Sequence, residues 1–237
     1  HTREKPLADG IDVDRLADTE PDLVITQATC DVCAVDASAV RGAIASLNPA
    51  PEVVTLDPHS VADVLDDIPR LGEAVDRSDA AAALTDRLTD SIERVRERAK
   101  QAVADGRHSR AVVLDWTDPP IRAGHWVRDM VEIAGGDPSF QPRGASEPVA
   151  WEDLRTHDPE VLIVAPCGFE RGRAVDAVGD LAAQPGWRDH TAVAHDRVYA
   201  VDVHALYNRP RHRLVDHLEE LFACLHPEHA VTPPAAI

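Results

Sequence analysis

The chain has 237 residues, with 42 acidic against 24 basic side chains and a formal net charge of -18. That balance excludes nucleic acid as a partner, because phosphate-backbone binding runs on clustered Lys and Arg. Lysine occurs only at Lys5 and Lys100 while aspartate is spread through every segment, the composition of an extreme halophile, in which acidic self-repulsion keeps a protein soluble at high salt.

In chain order, apolar β-branched runs bounded by Pro, Asp and Gly predict strands at Asp22–Thr26, Glu52–Leu56, Ala111–Asp115, Glu160–Ala165 and Arg197–Val201, each followed by helical periodicity. This is α/β alternation, and unbroken hydrophobic strands suit a parallel sheet covered on both faces. Between the second and third strands, Leu84, Leu88, Ile92, Val95 and Ala99 recur at spacings of three and four. They predict one amphipathic helix over Asp79–Asp105, stopped by Gly106 and long enough, at about 1.5 Å per residue, to join two lobes. No run of about 18 apolar residues exists to span a bilayer.

An internal repeat divides the chain. Asp14-Arg15-Leu16 precedes Pro21-Asp22-Leu23-Val24-Ile25, and Glu152-Asp153-Leu154 precedes Pro159-Glu160-Val161-Leu162-Ile163 at the same spacing. Each copy reads as a short acidic-start helix running into a Pro-opened, buried strand and then a cysteine-bearing loop, with Cys30 and Cys33 in the first and Cys167 in the second. A second echo pairs Asp57-Pro58-His59 with Asp202-Val203-His204. The reading is therefore two Rossmann-like lobes, residues 1–78 and 107–237, joined by helix 79–106. Loops at the carboxyl ends of the strands would line a shared cleft.

That cleft would gather Cys30, Cys33, Cys167, His59 and His204, with Trp116 and Asp118 after the third strand, His125 and Trp126 at the next helix start, and Phe169 beside Cys167. Thiolates and imidazoles are donors for Zn²⁺ or Cu⁺, so Cys30, Cys33 and Cys167 are candidate metal ligands or a thiol redox set. The aromatic and imidazole groups instead suit a broad, flat, partly apolar ligand. Tyr207, Asn208 and Arg209 add an aromatic and a cation for its polar rim. Enzyme readings fare poorly: Gly-x-Ser-x-Gly, Walker and His-Glu-x-x-His motifs are all absent from the sequence. Cys30 with His59 lacks an identifiable orienting group.

Taken together, Asp22–Gln27 leading into Cys30–Asp36, Gly124-His125-Trp126-Val127 with Gly135-Gly136 behind it, Val164–Phe169, and Asn208-Arg209-Pro210 before Arg213–Asp216 resemble the vitamin B12-binding branch of the helix-linked substrate-binding proteins of ABC importers. The resemblance implies two lobes joined by a rigid helix, with a corrinoid such as cobalamin, or haem or a ferric siderophore, as transported ligand and no catalytic cofactor. It also implies that Asp14 and Glu152 present carboxylates to the permease subunits at the membrane, and that the protein works extracellularly, tethered to the membrane. A cytoplasmic corrinoid-handling protein is the other reading. Members of that family carry a further strand and helix before the region of Asp12, so the resemblance implies a shortened first lobe.

Overall fold

The computed structural model describes residues 11–29, 37–45, 47–103, 108–201, 213–230 and 236–237. The described elements begin with α1 (Val13–Asp18), β1 (Leu23–Gln27), α2 (Ala37–Ala45), β2 (Glu52–Leu56), α3 (Val61–Ala74) and α4 (Ser78–Ala102). It continues through β3 (Ser109–Thr117), β4 (Pro120–Arg122), α5 (Val127–Ile133), β5 (Gly136–Asp137), β6 (Glu147–Pro148), α6 (Trp151–His157) and β7 (Val161–Val164). The last elements are α7 (Arg171–Ala182), α8 (Thr191–Ala194), β8 (Val198–Ala200) and α9 (Leu214–Leu225).

Among the described residues the strands form two separate sheets. In the smaller, β1 and β2 run parallel with Leu23 opposite Glu52 and Gln27 opposite Leu56. In the larger, the order is β6-β4-β3-β7-β8, with β5 also paired to β3. The β3, β7 and β8 core is parallel, as the apolar runs predict, whereas β4 and β6 add an antiparallel edge. The sheet is therefore mixed. Those added strands are two or three residues long and contain Pro120 and Pro148, so they carry no period-2 signal, and proline suits the edge of a sheet.

Alternate residues of the larger sheet feed opposite faces, as a period of two requires. Ala111, Val113, Val161 and Ile163 pack with Val95 of α4, Met130 of α5 and Leu218 of α9. Val112, Leu114, Leu162 and Val164 pack with Leu154 of α6 and Leu181 of α7 on the other face.

Helix α4 has 25 residues, about 37 Å of axial length. Leu88, Ile92, Val95 and Ala99 form its buried stripe, facing α3 on one side and α5 and α9 on the other. Arg98 pairs with Glu219 of α9 at 2.6 Å and lies 4.3 Å from the Phe222 ring centre. The helix ends at Ala102, capped by Val103, three residues short of the expected end at Asp105; Gly106 lies outside the described residues.

Candidate functional site

The turn after β2 is built by its own sequence. Ser60 caps α3 by accepting the Asp63 N–H at 3.0 Å, and Asp63 reaches back to accept the His59 N–H at 2.9 Å. This reciprocal pair satisfies the Asp63 donor that the helix start leaves open and ties down the residue before the cap. The His59 bond is the main reason the Asp63 carboxyl is held below its ordinary pKa. His59 is thereby fixed at the carboxyl end of the smaller sheet, with Nε2 3.3 Å from Asp57 Oδ1.

The larger sheet presents His125, between β4 and α5. Gly124 has the 144–146 backbone packed against it so closely that an added Cβ would meet Gly144 O at 2.3 Å, so only glycine fits there. The Gly124 N–H donates to Ser146 Oγ at 3.0 Å, and the His125 N–H donates to Gly144 O at 2.6 Å, leaving His125 in the left-handed region at φ 54°. His125 Nδ1 then lies 3.2 Å from His59 Nδ1. A second link runs beside it: Asp129 in the first turn of α5 accepts the N–H of Val61, the first residue of α3, at 2.9 Å. Burial, then the neighbouring His59, lowers the His125 pKa, so its imidazole stays neutral at pH 7.

At the ends of β3 and β7, Trp116 and Phe169 meet edge to face with ring centres 5.4 Å apart. The Trp116 indole N–H donates to the Asp118 carbonyl at 3.0 Å, and the Arg173 guanidinium covers Phe169 at 3.9 Å. Cys167 is partly exposed and outside any disulfide, and its N–H donates to the Asp115 carbonyl at 3.0 Å. Asp115 itself was not legible as a site residue. Burial raises its carboxyl to about pKa 6, opposed by a hydrogen bond from the Ser146 hydroxyl. Ser146 thus joins Asp115 to Gly124, and through it the strand ends to the His125 turn.

His59, Asp118, His125, Cys167 and Phe169 accordingly stand on loops near the strand ends, and Trp116 is the next-to-last residue of β3. Trp126 lies elsewhere: it is 4% exposed and packs in the core with Met130 and Phe222. Its spacing of four from Met130 signals a core-facing position at a helix start. Cys30, Cys33, His204, Tyr207, Asn208 and Arg209 lie outside the described residues. Among the described residues no three His, Cys, Asp or Glu side chains gather as a metal cluster. Asp14 and Glu152 are both exposed, in the first turns of α1 and α6. Arg155 clasps Glu152 with two hydrogen bonds of 2.9 and 2.6 Å.

Comparison with known proteins agrees with this architecture. The sequence profile of periplasmic binding proteins matches residues 6–205. The chain belongs to the periplasmic binding protein family. It is 25% identical over 224 residues to the uncharacterized ABC transporter substrate-binding lipoprotein YvrC of Bacillus subtilis, covering 92% of this chain. The match spans 66% of that relative's length. Two solved structures share the fold. An ABC transporter substrate-binding protein from Listeria monocytogenes has a TM-score of 0.76 at 22% identity, with 92% of this chain and 81% of that one covered. A periplasmic heme binding protein from Pseudomonas aeruginosa has a TM-score of 0.75 at 18% identity, with 95% and 78% covered. No helix among the described residues is long and apolar enough to cross a membrane.

Proposed function

We propose that this chain is the substrate-binding component of an ABC importer. In this reading it captures a flat, metal-containing ligand, a corrinoid such as cobalamin, between two lobes, and hands it to the permease without chemistry on the ligand. The lobes are residues 1–78 and 107–237, with 79–106 as the connecting helix. The observation that carries the reading is the meeting of loops from two sheets: His59 after β2 against His125 before α5, with the Trp116–Phe169 ring pair on the same network. Rings and imidazoles at the carboxyl ends of parallel strands suit a flat ligand with a polar rim. Haem is the second reading, favoured by the heme-binding relative; a ferric siderophore belongs to the same class. The Bacillus relative's description as a lipoprotein supports an extracellular, membrane-tethered setting.

Titrating the chain with aquocobalamin and, separately, hemin, followed by visible absorption, tests the ligand. One equivalent of a single ligand is expected to shift the spectrum, and Trp116→Ala with Phe169→Ala is expected to weaken it about tenfold, the loss of about 1.4 kcal/mol of aromatic contact. Silence with both ligands would sink the tetrapyrrole reading. Asp14 and Glu152 are proposed as the permease contacts. Changing both to Ala is expected to abolish transporter-dependent uptake while ligand affinity stays unchanged; normal uptake would reduce them to helix-start acids favoured by the macrodipole.

A further inference from the structure

We propose that His59 and His125 form a two-imidazole pincer that directly binds a divalent transition-metal ion of the zinc and nickel kind across the junction of the two sheets. This goes beyond the importer reading and does not depend on a tetrapyrrole. The ring centres are 5.3 Å apart, the planes differ by 28°, and the two Nδ1 atoms are 3.2 Å apart. With the nitrogens that much closer than the centres, the rings meet vertex to vertex in nearly one plane rather than face to face. Two metal–nitrogen bonds of about 2.0–2.1 Å, meeting at roughly 100°, span the same gap. One ion can therefore sit between the two rings once they turn, by up to roughly 40°, so that the Nδ1 lone pairs, which face each other here, converge on it.

The proton arrangement suits it. Asp57 Oδ1 lies 3.3 Å from His59 Nε2, the carboxylate–imidazole arrangement that orients metal-binding histidines, and a proton kept at Nε2 leaves the Nδ1 lone pair facing His125. In that tautomer, and without metal, the His125 Nδ1–H donates to His59 Nδ1. When the ion enters, the His125 proton leaves Nδ1 and one is taken up at Nε2, so both imidazoles bind neutral with no net change in their charge. Both backbones are already held, by the Asp63 capping bond and by the Gly124–Ser146 and Val61–Asp129 bonds. Little ordering cost remains for binding.

The His59 side chain is 48% exposed, so the remaining coordination positions open to water or to the donors of a small chelate. The metal of a tetrapyrrole offers one axial position on each face and would engage only one of the two imidazoles. An ion with two adjacent exchangeable positions engages both, which is why this pair points to a hydrated or lightly chelated metal.

The test is calorimetric titration of the chain with zinc chloride and nickel chloride near pH 7.5, with bound metal counted by mass spectrometry. One ion per chain is expected. His59→Ala or His125→Ala should each weaken it more than tenfold, and Asp57→Asn about tenfold, as for other partners of metal-bound histidines. His59→Gln and His125→Gln, checked for an unchanged melting curve, repeat the test where alanine harms folding. No bound ion overturns the proposal, as does an ion that survives both histidine changes and is lost with Cys30→Ser and Cys33→Ser. Hemin or aquocobalamin binding measured on the same samples separates the two readings: tetrapyrrole bound without free metal overturns the pincer alone, and the reverse result overturns the tetrapyrrole alone.

Discussion

Ile25 and Ile163 occupy the same place in the internal repeat and end in opposite surroundings. Ile163, on β7, is 0% exposed, whereas Ile25, on β1, is 50% exposed. Their immediate sequences are alike, so the difference lies in what surrounds them. β7 is paired on both sides, by β3 and β8, and helices cover both faces of its sheet. Among the described residues β1 is paired only with β2, and that two-stranded sheet packs on α2 and α3. The repeat predicts a buried strand in both halves; among the described residues only the second copy is fully buried, because burial needs neighbours that a strand's own pattern cannot supply.

The comparison can be broken by substitution. Ile163→Ala should cost about 3–4 kcal/mol in urea unfolding, transfer and cavity terms together, while Ile25→Ala should cost less than about 1 kcal/mol. Equal losses would mean the two strands are equally packed. Leu154 and Leu16 form the next pair: Leu154 is 1% exposed and Leu16 only half-buried. Leu154→Ala should cost about 3 kcal/mol and Leu16→Ala about 1 kcal/mol or less by the same measurement.

Acids at the strand ends provide a smaller contrast. Asp57, after β2, is about half exposed, whereas burial lifts Asp115, on β3, to about pKa 6. A carboxyl raised above its unfolded value of about 3.9 favours the folded state most below about pH 4, and that contribution is lost as pH rises through about 6. Asp115→Asn should remove this slope and raise stability at pH 7 by up to about 2 kcal/mol. A pH–stability curve that overlays the parent between pH 4 and 7 would show that Asp115 titrates normally.

Much of the fold was legible in the chain. The five apolar runs are β1, β2, β3, β7 and β8 to within a few residues; for β3, β7 and β8 the reason is that parallel strands buried between helices must be apolar throughout. The α4 stripe was equally plain, since its buried positions repeat along a single face. The short edge strands were not, being too brief to show a period. At the candidate site, His59 and His125 stood out singly as imidazoles at strand or helix ends. Asp115, Ser146 and Asp129 gave no such signal: aspartate is common throughout this acidic chain, and Ser146 matters only because the 144–146 backbone folds against Gly124.

What the sequence determined by itself was therefore local and periodic: which runs become strands, which stripe a helix buries, and which units repeat. The tertiary structure alone decided that Trp126 turns into the core, that Asp115 loses water, that Ile25 stays half open while Ile163 is sealed, and that His59 reaches His125. Hydrophobic periodicity acts over a few residues, whereas burial and contact depend on how many distant elements arrive at the same place.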